Sequence, residues 1–487
     1  MKSDPAQRSS GLHVLFIAAE ADPLIKRGGL GDVAGSLPPA LKQADPGMDI
    51  RLVIPHYQTL NNKYPVKYLS SFTIPSTDGP LKVDVSFTEV NGVTVYLLGG
   101  DPIHASEQVY PKDTSIMTER FIFFSLACLA LPDHLNWQVD ILHANDWHTA
   151  LALHVLRENA AAYKAFQNSH SVLTVHNLPF MGSGSESALK HFLVKPTQNP
   201  FMPGWSKTIP LPMGLNAADK IVPVSLGYAK EILTPVHGCD LQDFLATRQK
   251  DIQGIINGID YACWNPQTDK EIKFRYGVDS IDTRRKNKKA IQKEFSLLEN
   301  DSIPLFAVIG RLDRQKGFDI IYESFTQLGG IDWQMIVLAF GDDDRLRHGF
   351  NSLKEKFPNQ VRFIEEMNLP LSRRLYSSAD ALLMPSRYEP CGLAQMIAMR
   401  YGCIPVGMAT GGLQDTIKDF SSDPVTATGF LCTVPEVTQF LEQIRLGMAM
   451  YKNPTVWNTL QKNGMTTDFS WEKPARQYLA LYHELMQ

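Results

Sequence analysis

Two short clusters of basic residues and glycines stand far apart in this 487-residue chain. Their sequences are KRGGLGD at residues 26–32 and RLDRQKG at residues 311–317. Glycines let backbone N–H groups come close to an anion, and lysine and arginine supply the positive charge that a desolvated diphosphate needs. The two clusters therefore predict a phosphate site to which two parts of the chain contribute.

Each cluster directly follows a strand-like run, at residues 13–18 and at residues 305–309. Ligands of α/β proteins bind at the carboxyl edge of the parallel sheet, which is where such clusters would lie. Arg311 and Lys316 are five residues apart in a loop that should open a helix, so both side chains can reach one diphosphate. The alternative is a pair of surface salt bridges. Lys26, beside two glycines, can serve the same anion from the first half of the chain.

Short runs rich in Val, Ile and Leu alternate with helix-like stretches, which predicts βαβ units and parallel sheets. We expect two Rossmann-like, doubly wound α/β domains, because the pattern restarts in the second half. The turn-rich sequence around Asn257-Gly258 marks the boundary between them. The predicted strands are residues 13–18, 50–54, 93–98, 141–144, 171–176 and 220–224 in the first half, and 305–309, 334–339, 360–364, 381–385 and 404–407 in the second.

Composition excludes several classes of protein. With 44% hydrophobic residues, 20% charged residues and a net charge of −4, the chain has no general affinity for nucleic acid or membrane surfaces. The basic run at residues 284–289 has no interleaved aromatic residues, so we interpret it as the solvated start of a helix. Six scattered cysteines form no C-x-x-C pair and are expected to be reduced. The longest apolar run is too short to span a bilayer, and we expect a cytoplasmic location.

Two further positions could carry chemistry. Glu389 follows a hydrophobic strand and precedes a turn that should begin a helix, so its carboxylate could hold sugar hydroxyls. It could instead simply complement the helix dipole. His176 and Asn177 end a buried strand at the edge where ligands bind, although a histidine there could also belong to the core.

Taken together, these pieces resemble the bacterial glycogen synthases and plant starch synthases. The matching blocks occur in family order from one end of the chain to the other. They are KRGGLGDV at 26–33, HANDWH at 143–148, TVHNL at 174–178, NGID at 257–260, RLDRQKG at 311–317, PSRYEPCGL at 385–393, TGGL at 410–413 and DFSW at 468–471.

The resemblance implies a GT-B fold, in which two Rossmann-like domains face a deep interdomain cleft. It implies an acceptor-side domain at residues 1–256, a nucleotide-sugar-binding domain at 257–467, and a helix at 468–487 that crosses back to the first domain. The implied reaction transfers glucose from ADP-glucose, or alternatively UDP-glucose, to the non-reducing end of an α-1,4-glucan such as glycogen, with retention at the anomeric carbon. No cofactor or metal is expected, since side chains and helix amino termini neutralise the leaving diphosphate.

The resemblance also implies roles for individual residues. The expected catalytic residues are His176, Glu389, Lys316 and Arg311. The acceptor side is expected to involve Asp32, Asp146, Trp147 and Asn177. The expected donor-binding residues are Lys26, Gly28, Gly29, Asn257, Gly341, Cys391, Gly392, Leu393, Thr410, Gly411 and Gly412. If a cation were bound, the nearest candidate site would be the acidic triplet Asp342-Asp343-Asp344.

One departure from the family pattern concerns the base of the donor. Family members often have Gly-Tyr-Asp-Glu before a helix of the second domain, with the tyrosine stacked on the base, and this chain has Glu366-Met367-Asn368-Leu369 there. Base recognition is therefore expected to differ. Two other readings are another retaining GT-B transferase and a non-catalytic glucan-binding paralogue. The presence of Lys26, Arg311 and Glu389 disfavours the paralogue.

Overall fold

The computed structural model describes residues 11–329 and 332–487, and over these ranges the chain separates into two compact units. Unit 1 contains residues 11–258 together with Trp471–Gln487, and unit 2 contains Ile259–Ser470. Each unit has its own β-sheet with helices packed against it. The chain thus leaves unit 1 once and returns to it at the end.

The sheet of unit 1 has a parallel part and an antiparallel extension. Its order is β3-β4-β5-β2-β1-β6-β7-β8, and β4 is antiparallel to both β3 and β5. The sequence analysis missed β3 and β4, because β3 is exposed over most of its length and β4 alternates between buried and more exposed positions. Neither strand is a continuous apolar run. The strands are β1 (His13–Ile17), β2 (Asp49–Pro55), β3 (Lys67–Ile74), β4 (Leu81–Val90), β5 (Val93–Gly99), β6 (Ile141–Asn145), β7 (His170–Val175) and β8 (Lys220–Pro223).

Most helices of unit 1 follow the strands of its parallel part. They are α1 (Gly29–Ala44), α2 (Asp101–His104), α3 (Thr114–His134), α4 (Trp147–Glu158), α5 (Glu186–His191), α6 (Pro210–Ala217), α7 (Leu226–Glu231) and α8 (Gln242–Thr247). Within the described ranges, α3 is the one helix long and apolar enough to cross a membrane. It is also 67% buried over its most apolar window and packs against α4, as core helices of globular units do.

Unit 2 has an all-parallel sheet in the order β11-β10-β9-β12-β13-β14. The short strand β14 is absent from the sequence-based predictions. The strands are β9 (Leu305–Arg311), β10 (Gln334–Phe340), β11 (Val361–Glu365), β12 (Ala381–Met384), β13 (Ile404–Met408) and β14 (Phe430–Cys432). The helices are α9 (Arg284–Glu294), α10 (Phe318–Gln327), α11 (Asp344–Lys356), α12 (Leu369–Ser378), α13 (Ala394–Arg400), α14 (Gly411–Thr416), α15 (Val437–Tyr451) and α16 (Pro454–Thr466).

Both sheets share one topological feature. In unit 2 the chain starts at the central strand β9, moves outward through β10 and β11, and then crosses to β12 on the other side of β9. In unit 1 the parallel strands follow the same path from β1 through β2 and β5 to β6. Where the order reverses, the loops after the two central strands diverge and leave a crevice in which doubly wound sheets bind ligands.

The last helix, α17 (Glu472–Leu485), belongs to the core of unit 1. Tyr478, Leu481 and Tyr482 on this helix are buried in the same hydrophobic cluster as Val14 and Phe16 of β1. A chain segment more than 200 residues from the rest of unit 1 therefore completes its core.

A hydrogen-bonded network ties α17 to the sheet. His143 Nδ1 lies 2.6 Å from the Tyr482 hydroxyl, and His143 Nε2 lies 2.7 Å from the Thr174 hydroxyl. Burial, with a smaller effect of nearby His176, lowers the pKa of His143 to about 3. This ring is therefore neutral and serves the structure.

The basic run at residues 284–289 does begin a helix, but the prediction that it is solvated is wrong for two of its members. Arg284 and Lys288 are 5% and 2% exposed. Backbone carbonyl groups and Asp380 accept hydrogen bonds from these side chains. Such acceptors come from distant parts of the chain, so the local sequence pattern could not reveal them.

We expect Tyr482→Phe to destabilise unit 1 by about 1–3 kcal/mol, because His143 loses a buried hydrogen-bond partner while the packing of the ring is preserved. Urea unfolding followed by fluorescence measures the loss. Tyr68→Phe is the matched control, since Tyr68 is 63% exposed. Equal stability of the two variants would contradict the structural role of the network.

Candidate active site

The loop after β9 is shaped by one glycine and one aspartate. Gly317 has a φ of +71°, and a Cβ there would lie only 2.1 Å from the carbonyl oxygen of Pro385, so a larger residue does not fit. Asp313 accepts a hydrogen bond from the backbone N–H of Lys316 at 2.9 Å and pairs with the Arg311 guanidinium through its other oxygen. The loop is thus fixed just before α10 begins at Phe318.

Lys316 and Glu389 form an ion pair at the strand-order reversal of unit 2. The Nζ atom of Lys316 lies 2.9 and 2.7 Å from the two carboxylate oxygens of Glu389, and the Ser386 hydroxyl donates to the same carboxylate at 3.0 Å. The Glu389 side chain is 6% exposed and the Lys316 side chain 28%. The two predicted catalytic residues from the loops after β9 and β12 are therefore in direct contact.

Arg311 lies on the same loop but has different partners. It donates to Asp313 and, at 3.1 Å, to the side-chain oxygen of Gln315. Its side chain is 47% exposed. Arg311 and Lys316 thus contact different carboxylates, and the more exposed arginine can reorient toward an anion at little cost.

The glycine-rich start of α14 packs against the backbone of the turn that carries Glu389. The backbone N–H of Gly412 donates to the Glu389 carbonyl at 3.0 Å, and a Cβ on Gly412 would lie 2.0 Å from the carbonyl oxygen of Cys391. Cys391 itself is 5% exposed. Thr410 is the N-cap residue of α14, and Gly411 is its first residue. The turn after β12 and the start of α14 therefore touch backbone to backbone.

Two further loops lie at the same carboxyl edge. Gly341 follows β10 and packs against Leu312, whose backbone N–H donates to the Phe340 carbonyl at 2.8 Å. Met367 follows the edge strand β11 and is 60% exposed. Asn368 next to it caps α12 through the N–H of Leu371. The Met367 side chain is thus available at the surface on the same edge as Lys316 and Glu389.

In unit 1, the loop after β1 presents a lysine and leads into α1. Lys26 Nζ lies 2.5 Å from a carboxylate oxygen of Asp32, and their side chains are 30% and 24% exposed. Gly28 is the N-cap of α1, which begins at Gly29. Asp32, predicted for the acceptor side, thus contacts Lys26, which is predicted to bind the donor.

Glu20, which the sequence analysis missed, holds the loop that carries Lys26. It is 1% exposed, and its carboxylate accepts hydrogen bonds from the backbone N–H groups of Arg27 and Gly28 and from the Tyr110 hydroxyl at 3.1 Å. Burial raises the pKa of Glu20 to about 7. Its position as a single acid in the apolar run Ala18-Ala19-Glu20-Ala21 is the signal that could have revealed it.

Asp146 has a comparable role in the loop after β6. Its carboxylate accepts hydrogen bonds from the backbone N–H groups of His176 at 2.7 Å and Asn177 at 3.3 Å, and burial raises its pKa to about 7. His176 Nε2 lies 3.0 Å from Asn145 Oδ1. Burial lowers the pKa of His176 to about 3, so the ring is neutral near pH 7 and still has one N–H group.

Known proteins resemble this chain along nearly its whole length. The sequence model of one protein family, described as starch synthase catalytic domain, matches residues 13–247. The sequence model of a second family, described as glycosyl transferases group 1, matches residues 289–462. Glycogen synthases from Streptococcus pneumoniae strains JJA and CGSP14 are each 33% identical to this chain, over 98% of it and 100% of their own length. The chain belongs to the glycogen synthase family.

Solved structures agree with this assignment to the glycogen synthase family. The catalytic domain of starch synthase IV from Arabidopsis thaliana, bound to ADP and acarbose, has a TM-score of 0.91 and 29% identity, covering 98% of this chain and 100% of its own. A sucrose-phosphate synthase from Thermosynechococcus elongatus has a TM-score of 0.62 at 18% identity, covering 97% and 99%, which supports the fold alone. The predicted family, the GT-B fold and the enzyme class, a glycosyltransferase, are confirmed.

In this glycogen synthase family member, some predicted site residues are buried. Trp147 is 5% exposed, and its ring packs against Phe121 and His148 and beneath Gly182. Asn257 is 4% exposed, and its Oδ1 has no hydrogen-bond partner among the described residues. Contact of either side chain with a sugar remains a prediction.

Two carboxylates of the acidic triplet at residues 342–344 have partners close by in the chain. Asp343 caps α11 through the N–H groups of Arg345 and Leu346, and Asp344 pairs with Arg347. Across residues 11–329 and 332–487, no group of three His, Cys, Asp or Glu side chains is placed to hold a metal ion.

The raised pKa of Glu20 predicts a pH-dependent stability. The folded chain keeps this proton up to about pH 7, whereas the unfolded chain releases it near 4.5, so folding is destabilised as the pH rises through this window. Between pH 5 and pH 8, we expect the wild-type protein to lose about 2–3 kcal/mol of unfolding free energy that Glu20→Gln retains. Urea titrations at both pH values measure this difference.

The exposed Glu107 provides the control for this experiment. Glu107→Gln should show the same pH dependence as the wild-type protein. A parallel response of Glu20→Gln and the wild-type protein would mean that Glu20 is ionised in the folded chain well below pH 7.

Proposed function

We propose that this protein extends an α-1,4-glucan by transferring glucose, with retention, from a nucleoside-diphosphate glucose, ADP-glucose being favoured. The observation that carries the proposal is the Lys316–Glu389 pair at the strand-order reversal of unit 2, in a chain that matches glycogen synthases over nearly its full length. ADP in the starch synthase IV structure supports the choice of base. Unit 2 is the donor-binding domain in this proposal, and unit 1 supplies the acceptor side.

Lys316 can bind the diphosphate while it keeps its ion pair with Glu389. A lysine ammonium has three N–H donors, and the contacts with the two oxygens of Glu389 use two of them. The third donor remains for a phosphate oxygen. Glu389 in turn can accept hydroxyl groups of the glucose, because a carboxylate has about four acceptor positions and Lys316 and Ser386 use three. Arg311 supplies further charge for the leaving group.

In unit 1 we assign the acceptor side to Asn177 and Asp146, and the anomeric region to His176. The carboxylate of Asp146 already accepts two backbone N–H groups and holds the end of β7 in place. The neutral His176 can offer its backbone carbonyl oxygen to the positive charge that develops at the anomeric carbon. This arrangement supports attack on the same face as the leaving group, with the diphosphate taking the proton of the acceptor hydroxyl.

The specific nucleotide and the cellular location stay predictions. UDP-glucose is the alternative donor, because Met367 offers the base a thioether and no aromatic face. The cytoplasmic location rests on the sequence expectation alone.

Lys316→Ala and Arg311→Ala should each lower kcat/KM for glucan extension by about ten- to a hundredfold, because each removes a charge-assisted hydrogen bond to the transition state. The assay measures incorporation of labelled glucose from ADP-glucose or UDP-glucose into glycogen, after the polymer is separated from free sugar. Lys354→Ala, which removes an exposed lysine from α11, is the control and should keep full activity. Undiminished transfer by either site variant would exclude that residue from the phosphate clamp, and absence of polymer with both donors would refute the proposed function.

Met367→Tyr should raise kcat/KM for ADP-glucose more than for UDP-glucose, since base stacking contributes about 1–3 kcal/mol and the larger purine gains more from an aromatic face. Leu369→Tyr is the matched control, because Leu369 is also well exposed, at 48%, and lies two residues further along the chain. The ratio of the two kcat/KM values is the measurement. An unchanged ratio in Met367→Tyr would show that this side chain does not face the base.

A further inference from the structure

A separate cavity of about 370 Å³ lies within unit 2, away from the loops described above. It is lined by the start of α9, the residues before β12, and the segment where α15 ends and α16 begins. Its volume falls within the range of small-molecule sites in proteins, about 300–1,000 Å³.

This cavity lies at the amino edge of the sheet. Asp380, which lines it, directly precedes β12, and its carboxylate accepts a hydrogen bond from the backbone N–H of Leu305, the first residue of β9, at 2.8 Å. Lys316 and Glu389 lie at the carboxyl edge of the same two strands. A seven-residue strand such as β9 spans roughly 20 Å, so the two sites are distinct.

Arg284 is the central observation. It is 5% exposed, and it donates to the Tyr276 hydroxyl and to the carbonyl oxygens of Tyr376 and Ala379. All these acceptors are uncharged, and no carboxylate of the described residues lies within ion-pair distance of the guanidinium. Its Nη1 donates to no group in the described ranges. A guanidinium with a spare donor nitrogen in the wall of a cavity is suited to bind an anion.

A second buried donor belongs to the same cavity. Trp457 is 7% exposed and lines the cavity, and its Nε1–H has no acceptor among the residues that the structure describes. A buried indole N–H normally has a partner. Arg284 and Trp457, each with a donor nitrogen that has no acceptor in the described chain, therefore line the same cavity.

The balance of charge around the cavity favours an anion. Lys288 is fully occupied by Asp380, by the Ile303 carbonyl and by the Tyr451 hydroxyl. The carboxylates of the other two lining acids have basic partners: Asp282 is 3.7 Å from Arg285, and Asp301 is 3.2 Å from Lys289. The remaining lining cations are Arg284 and Lys452, and within the described chain Lys452 has no hydrogen-bond or ion-pair partner.

We propose that this cavity is a binding site for a small phosphate ester. Arg284, Lys452 and the Trp457 N–H would bind the phosphate, for which a guanidinium and an ammonium are suited. The cavity volume of about 370 Å³ exceeds what inorganic phosphate alone fills. Asp301 Oδ1, a buried acceptor without a partner in the described chain, would accept a hydroxyl of the organic part.

The test uses a background in which phosphate binding by the proposed active site is weakened. In the full-length Lys316→Ala variant, calorimetric titration compares glycerol 3-phosphate, inorganic phosphate and glycerol at constant ionic strength. We expect saturable 1:1 binding of glycerol 3-phosphate, weaker binding of inorganic phosphate and none of glycerol. Adding Lys452→Ala should weaken the affinity for the ester about three- to tenfold, because an exposed cation is lost at the mouth of the cavity.

Lys462→Ala on α16 is the matched control, because Lys462 is exposed and does not line the cavity, and it should leave the affinity unchanged. No saturable binding, or equal affinity with and without Lys452, overturns the site. Tighter or equal binding of inorganic phosphate overturns the assignment of an ester.

A second measurement avoids substitution of Arg284, which also holds backbone carbonyl groups. Hydrogen exchange with and without glycerol 3-phosphate should show protection concentrated at residues 281–288 and 451–461. Protection elsewhere but not in these segments overturns the proposal, whatever the calorimetry shows.

Discussion

The reversal of strand order in each sheet is the constraint on which the candidate site depends. A loop that follows an outer strand packs against a neighbouring loop that runs the same way, but at the reversal the two loops diverge. In both units, predicted site residues with basic or acidic side chains lie in the loops beside this reversal. Lys26 and Asp146 follow the two strands beside the reversal of unit 1, and Lys316 and Glu389 follow those of unit 2.

Carboxylates hold these loops in shape. Glu20 and Asp146 accept backbone N–H groups of the segments that carry Lys26 and His176, and Asp313 does the same for Lys316. Burying a carboxylate is costly, and the raised pKa values of Glu20 and Asp146 reflect that cost. The hydrogen bonds offset part of it and leave a backbone that is organised before any ligand binds.

The elements that could be predicted from sequence are those whose burial in the fold is visible as a pattern of neighbouring residues. Buried parallel strands are continuous apolar runs, so the positions of β1, β9 and β12 and the loops after them were predictable. Strands β3 and β4 each have a solvated face, so they form no continuous apolar run and were not predicted. Glu20 was overlooked because its partners are backbone groups, and the burial of Arg284 was missed because its acceptors lie about 90 residues further along the chain.

The return of α17 to unit 1 has a consequence for biosynthesis. The core of unit 1 includes Trp471, Ala475 and Tyr478, so the ribosome makes the whole of unit 2 before the last part of that core exists. Unit 2 is in effect an inserted domain, and its two ends are neighbours, joined by a hydrogen bond from Ile259 N–H to the Phe469 carbonyl at 2.8 Å. Unit 2 can therefore fold during translation, while unit 1 exposes apolar surface until α17 has been made.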